Sequence, residues 1–196
     1  MKILLVSDKE SDYLWDHYQP GRLDGVDMIL SCGDLRSDYL SFLVTMGSGP
    51  LLYVHGNHDR TYAQRPPEGC ECIEDRLITV QGLRILGLGG SFWYNGGPHQ
   101  YTERQMAWRI HRLWPALQMA GGVDIVLTHA PPKGYGDGAD YAHQGFDCLL
   151  RLLDRYQPKY LVHGHVHINY GAGAPRILHR GNTTIINAYE RYLLQI

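Results

Sequence analysis

Five apolar runs in this chain stop on a side chain able to bind a metal ion: Asp8, Asp34, Asn57, His129 and His165. A single ending of this kind is ordinary turn chemistry, and Gly56-Asn57 alone would read as no more than that. Five of them make coincidence a poor explanation. The 11 histidines strengthen the pattern, because five fall in two short clusters, His55 with His58 and then His163, His165 and His167. His165 and His167 stand two apart, so an extended backbone would turn both rings to one side.

The segments that deliver these residues read as buried strands: Lys2–Asp8, Val26–Asp34, Leu51–Asn57, Val123–His129 and Lys159–His165. Leu77–Val80 and Arg84–Gly90 are expected to pair as a hairpin across Gln81-Gly82, and Thr183–Ala188 adds a last strand. The glycines between Gly171 and Pro175 suggest an antiparallel finish. Helical spacing covers Ser37–Met46, Thr102–Met119 and Phe146–Tyr156, the second capped by Thr102 and bent or split near Pro115. The third places Phe146, Leu149, Leu150 and Leu153 on one face. Strands alternating with helices predict an α/β layered fold, in which sites gather at the carboxyl ends of the strands. No repeat or linker interrupts the chain, so one domain over 1–196 is expected.

Composition narrows the partners. A net charge of −2 and a pI near 6.6 lack the footprint of a general nucleic-acid binder, so no stable nucleic-acid partner is expected. No apolar run approaches the roughly 20 residues that span a bilayer, and no membrane association is expected. The first residues are too short and too soon charged for a secretory signal. Cys32, Cys70, Cys72 and Cys148 form no Cys-x-x-Cys pair. Reduced thiols and a cytoplasmic location are the expectation, with Cys32 and Cys148 buried. Nothing in the chain bears on oligomeric state.

In order, the polar ends read SDKE (Ser7–Glu10), GD (Gly33-Asp34), GNHD (Gly56–Asp59), TH (Thr128-His129) and GHVH (Gly164–His167). This series resembles the calcineurin-like metallophosphoesterase superfamily, whose pattern is D-x-H, G-D, G-N-H-[DE], H and G-H-x-H. The stretches 128–134, 164–171 and 183–188 look most similar to its cyclic-nucleotide-phosphodiesterase-like members. The resemblance implies a four-layer α/β/β/α sandwich of two mixed sheets flanked by helices. It also implies two divalent metal ions, Asp8, Asp34 and His167 holding one and Asp34, Asn57, His129 and His165 the other. His58 would assist as general acid or phosphate-stabilising group, with Asp59 beside it.

The chemistry makes independent sense. Phosphate esters resist attack because their charge repels nucleophiles and alkoxide leaves poorly. Two cations about 3.5–4 Å apart clamp the phosphoryl oxygens and turn water into hydroxide near neutral pH. Holding them that close needs a bridging carboxylate, the part expected of Asp34. A mixed nitrogen and oxygen donor set suits Mn, Fe, Ni or Zn better than Ca, with Mn foremost.

Two positions depart from the pattern. Glu10 stands where the family has histidine; either it still reaches the first ion, hardening that site toward Mn or Mg, or that site is weak. The acid that often orients the catalytic histidine is replaced by Ser37, leaving Asp38 or Asp59 to substitute. Arg36 and Arg60 flank the central motifs as candidate phosphate contacts or as solvated turn residues.

Other residues take a lesser part. His55 and His163 match no motif position and are expected to be structural. His143, in the stretch Tyr141–Gly145, is expected near a loop surface, with phosphate contact open to it. Asp137 and Asp140 read as loop caps. The glycine-rich loop Gly89–Tyr101 carries Phe92, Trp93, Tyr94 and Tyr101, which could rim the site and stack on a base or pack over the next helix. The expected activity is metal-dependent hydrolysis of small phosphodiesters such as nucleotides or cyclic nucleotides. The alternative is a catalytically weak or inactive scaffold that keeps the fold; the retained His58 argues against it and Glu10 for it.

Overall fold

Most central strands carry apolar side chains on both faces, so each sheet must be covered twice. The computed structural model, which describes residues 1–168 and 175–196, shows how. In chain order the first half comprises β1 (Lys2–Ser7), β2 (Met28–Ser31), α1 (Ser37–Met46), β3 (Leu51–Tyr53), β4 (Glu71–Cys72), β5 (Arg76–Val80) and β6 (Leu83–Leu88). Two short strands, β7 (Ser91–Phe92) and β8 (Gln100–Tyr101), precede α2 (Glu103–Arg112), α3 (Trp114–Met119) and β9 (Ile125–Thr128). The chain closes with α4 (Asp147–Tyr156), β10 (Tyr160–His163), β11 (Ile177–Arg180), β12 (Thr183–Asn187) and β13 (Glu190–Gln195).

Two large sheets result, in the orders β13-β1-β2-β3-β4 and β11-β12-β10-β9-β6-β5, and β7 and β8 pair apart from them as a two-stranded ribbon. Alternate residues decide what each face touches. Ile3, Leu5, Met28, Leu30 and Leu52 of the first sheet meet Ile85, Ile125, Leu127, Val162 and Ile186 of the second in one buried layer. Leu4, Val6, Ile29 and Leu51 point the other way, onto Tyr39, Leu40 and Leu43 of α1. Leu86, Val126, Leu161 and Ile185 do the same onto Met106, Leu117, Leu149, Leu152 and Leu153 of α2, α3 and α4. The architecture is the expected four-layer sandwich, with both sheets mixed.

Parallel pairing runs through β1-β2-β3 and through β12-β10-β9-β6, so the carboxyl ends of these strands share one edge. Antiparallel strands close three of the margins, β13 beside β1, β11 beside β12 and β5 beside β6, while β4 lies parallel to β3 at the fourth. The antiparallel finish thus holds for β11-β12, but β10 and β12 pair in parallel, against the simplest reading of that segment. Residues 171–174, on which it partly rested, lie outside the described residues. Strand β13 was not foreseen: its alternating exposed residues and charged start mask an edge strand.

The hairpin turns at Gln81 and Gly82, with φ of 50° and 83° and register Val80 to Leu83, a tight two-residue connection. The helix expected over 102–119 is split at Leu113, Pro115 being the second residue of α3. Its start is a full capping box: Gln105 N–H donates to Thr102 Oγ1 at 3.3 Å, and Thr102 N–H to Gln105 Oε1 at 2.8 Å. On α4 the buried face is Cys148, Leu149, Leu152 and Leu153, with Leu150 turned partly outward, contrary to the expected face. Cys32 and Cys148 are buried, and all four thiols are free.

Candidate metal centre

The strands end earlier than their apolar runs, so the chemistry sits in the loops just beyond them. Asp8 and His129 follow directly on β1 and β9, while Asp34, Asn57 and His165 lie further along their loops. Asp8, Asp34 and His165 take φ of 64°, 56° and 66°, the left-handed region that side chains other than glycine seldom occupy. Such backbone strain persists only where the surroundings over-determine it, and it collects at functional sites. It also corrects one expectation: the backbone through His165 is not extended, so the rings of His165 and His167 owe their placement to a turn.

Close approach of these loops explains two of the glycines. A Cβ on Gly56 would lie 2.0 Å from Asp34 Oδ1, and one on Gly164 would lie 1.9 Å from Ser7 Oγ and 2.5 Å from Asp8 Oδ2. The loops are then tied together by backbone donors. His58 N–H donates to Asp34 Oδ1 at 2.7 Å, and His165 N–H to both oxygens of Asp8 at 3.0 and 2.9 Å. Asp59 is buried, and its Oδ2 accepts from Gly56 N–H at 2.7 Å and Asp34 N–H at 2.9 Å.

Asp34, His129 and His165 each bring a donor atom within 4.8 Å of the other two. Both rings are oriented from behind by carbonyls. His129 Nδ1 donates to Cys32 O at 2.7 Å, which turns Nε2 toward Asn57 Oδ1 at 3.0 Å and Asp34 Oδ2 at 3.4 Å. His165 Nε2 donates to Ala142 O at 2.8 Å, which leaves Nδ1 as the free donor atom. A carbonyl that fixes the tautomer and raises the basicity of the opposite nitrogen is the usual support of a ligating histidine. The donor set of one carboxylate and two imidazoles fits a divalent metal ion.

The electrostatics differ from group to group. Burial raises Asp8 to about 6, the His129 charge only partly opposing it, as for a carboxylate that lacks a cationic partner. Burial also works against charge on Asp34 and His129, yet their mutual attraction wins, holding Asp34 low and His129 high. His165 is pushed down to about 3, first by burial and then by His129, which leaves its ring neutral as a metal ligand must be. Burial and its neighbour Asp34 raise Asp59 to about 6.

A cavity of about 370 Å³ opens over these groups, lined by Asp8, Asp34, Asn57, His58, Tyr94, Ala142, His143, His165 and His167. His58 is exposed at its mouth, and among the described residues its ring has no hydrogen-bond partner. Glu10, Arg36 and Arg60 do not line it. The Glu10 carboxylate instead accepts Arg36 N–H at 2.9 Å, ahead of α1. Arg36 reaches Asp38 at 3.5 Å, so neither takes a partner in the cavity. Arg60 lies toward the aromatic loop, its Nη2 3.4 Å from where a Cβ on Gly97 would stand.

Of three further placements, two had been left open by the sequence and one was not legible in it. Tyr94 Oη meets Asn57 Nδ2 at 3.1 Å, Ala142 supplies the carbonyl behind His165, and His143 enters the lining with its Nδ1 2.8 Å from Asp140. The aromatic-rich loop was the signal for the first; the second is a backbone atom and left none. Asp137 caps its loop as expected, accepting Gly134 N–H at 2.7 Å. His163 is buried, accepts no metal-site partner, and is held down to about 4 chiefly by burial.

A second group, His55, Glu74 and His99, also brings three donor atoms close. Its two imidazoles, however, stack 4.4 Å apart and within 3° of parallel. Ring lone pairs lie in the ring plane, so two stacked rings do not aim at one ion. The group acts instead as an ionic relay, with Glu74 between His55 at 2.5 Å and Arg109 at 2.9 Å. Burial opposes the charge on His55, but the hydrogen bonds its ring donates to Cys72 and Glu74 outweigh it and lift the ring to about 10.

Comparison with known proteins agrees with this geometry. The family model described as calcineurin-like phosphoesterase matches residues 1–169. Metallophosphoesterase domain-containing protein 1 of Homo sapiens is 29% identical over 202 residues, covering 83% of this chain and 59% of its own length. The chain therefore spans less than two thirds of that relative. Among solved structures, TT1561 of Thermus thermophilus superposes with a TM-score of 0.60 at 17% identity, covering 96% of this chain and 89% of its own. The 5'-nucleotidase from Candida albicans superposes at 0.56 and 14% identity, covering 95% of this chain and 45% of its own. Among the described residues no helix is long and apolar enough to cross a membrane. The chain belongs to the calcineurin-like phosphoesterase family.

Proposed function

We propose that this chain hydrolyses phosphoester bonds of small substrates such as nucleotides or cyclic nucleotides, with diesters foremost, using two divalent cations of which manganese is the first candidate. The observation that carries the reading is the convergence of Asp34, His129 and His165 on one point beneath an open cavity. Asp8, Asp34 and His167 would hold one ion, and Asp34, Asn57, His129 and His165 the other. Bound there, the ions supply Lewis acidity to the phosphoryl oxygens and bring the pKa of a water toward neutrality.

The protein's own groups do the rest. His58, exposed at the mouth and held through its backbone to Asp34, would donate a proton to the departing alkoxide. Asp59 serves from beneath as a positioning residue, since both of its hydrogen bonds hold backbone at Gly56 and Asp34. A cavity of about 370 Å³ suits a small ester and not a long polymer. With Glu10 engaged by Arg36 N–H, the first ion would rest on Asp8, Asp34 and His167 alone and be the weaker of the two.

The test is hydrolysis of bis-p-nitrophenyl phosphate beside p-nitrophenyl phosphate, with Mn, Mg, Ni or Zn added to metal-stripped protein. A diester rate exceeding the monoester rate, abolished in His58→Ala, is expected. No turnover with any metal between pH 6 and 9 would favour the scaffold. A panel of nucleotides and cyclic nucleotides then ranks natural substrates.

A further inference from the structure

Asn57 is an expected ligand that could present the wrong atom, and among the described residues no backbone carbonyl orients it as Cys32 and Ala142 orient the rings of His129 and His165. The two ends of a carboxamide have almost the same shape, but only the oxygen can bind a cation; rotation by half a turn would aim an NH₂ group at it. Something must hold the amide the right way round. His129 Nε2 lies 3.0 Å from Asn57 Oδ1, but that nitrogen must give up its own contact to a bound ion. The other end of the amide has a separate partner, Tyr94 Oη, at 3.1 Å from Nδ2.

Tyr94 stands on a built ledge. The Gln100 side chain is buried, and its Oε1 accepts from Tyr94 N–H at 3.2 Å and from Asn95 N–H at 3.1 Å. Its Nε2 donates to Asn95 Oδ1 at 2.7 Å, so the tip of the loop is closed on itself. The base of the loop is fixed by Ser91 N–H to His99 O at 2.9 Å and Trp93 N–H to Tyr101 O at 3.0 Å. Beneath it, the His99 ring rests on His55, which pairs with Glu74, itself held by Arg109. Tyr94 is thus positioned by residues that belong to no part of the metal centre.

We propose, resting on the metal-dependent reading above, that Tyr94 is a positioning residue that sets how tightly the second ion is held. Asn57 Nδ2 can only donate, so Tyr94 Oη accepts, and this contact keeps Oδ1 turned toward the ion. Because the hydroxyl accepts from Asn57, its own proton remains available to the cavity it lines, as a donor to a phosphate oxygen.

The experiment titrates Mn alone into metal-stripped protein by calorimetry. The proteins are wild type, Tyr94→Phe, Asn57→Asp and the double variant. Tyr94→Phe keeps the ring and the loop but removes the acceptor. It should weaken one of two Mn sites about fivefold, the worth of one ordinary hydrogen bond, while the Tm of the metal-free protein falls by only a few degrees, as the loss of one such bond predicts. Asn57→Asp has no amide to misorient, so adding Tyr94→Phe to it should change Mn affinity less than twofold. Equal Mn affinity in wild type and Tyr94→Phe would overturn the proposal. So would a loss of the same size on the Asn57→Asp background, since Tyr94 would then act through the loop. Wild type that bound no Mn would instead defeat the metal-dependent reading itself.

Discussion

Substituting Gly56 by alanine tests the metal centre most directly, because the perturbation is one methyl group aimed at one carboxylate. The new Cβ would stand 2.0 Å from Asp34 Oδ1 and 2.4 Å from its Cγ, whereas ordinary contact begins at 3.4 Å. About 1.4 Å of overlap must be relieved. The loop cannot give easily, since Gly56 N–H is held by Asp59 at 2.7 Å and Gly56 is itself buried. Asp34 has to move, and it is the group expected to stand between both ions. Overpacking of this kind costs about 1–3 kcal/mol in stability, and a displacement near 1 Å costs about 10²-fold in rate. Gly82→Ala is the matched control, with φ of 83° but nothing within 4 Å of its Cβ. It should lose about 1 kcal/mol through backbone strain and leave the site untouched. Calorimetric Mn titration, kcat/KM on bis-p-nitrophenyl phosphate and Tm read all three effects. Wild-type Mn affinity together with kcat/KM within threefold in Gly56→Ala would refute the reasoning.

Three further outcomes follow from the same geometry. Mn uptake near pH 7 should release a proton from His129, whose ring is raised to about 9 despite burial, mainly by Asp34; calorimetry in buffers of different ionisation enthalpy measures it. Affinity should rise with pH toward that value and fall further below about 6, where Asp8 also binds a proton. Asp59→Ala leaves two backbone N–H groups without their acceptor and should cost about 2–4 kcal/mol in urea unfolding, with loss of Mn binding. Burial holds His163 down to about 4, so its share of stability is complete above about 6.5 and is lost as pH falls toward 4. Wild type should therefore lose about 2 kcal/mol more than His163→Gln between pH 7 and 5, read from urea midpoints.

The layered α/β class was legible because short apolar runs alternating with helical spacing read as strands covered on both sides, whereas the four-layer form was expected from the resemblance of the motifs. Ser37–Met46 was legible at both ends, and so was the break near Pro115, since a ring without an N–H cannot continue a helix. Strand β13 was not, because an edge strand needs only one apolar face and its Glu190, Arg191 and Gln195 read as surface. The direction in which β10 and β12 pair was equally hidden, being fixed by where a connection crosses and not by the strands' own residues.

For the site, residue types and their order pointed to Asp8, Asp34, Asn57, His129, His165 and His167, because few chemistries other than metal binding call for such donors at consecutive strand ends. Sequence could not place Glu10, whose carboxylate turns to the N–H of Arg36, nor Arg36 and Arg60, which lie away from the cavity. It could not supply the Ala142 and Cys32 carbonyls that orient two rings, since every residue has a carbonyl and only folding decides which one arrives. Nor could it bring Tyr94 to Asn57 across 37 positions of chain. Donor chemistry is local and written in side-chain type; orientation is a matter of which distant backbone and hydroxyl groups packing brings within about 3 Å, and that is decided only once both sheets have closed on each other.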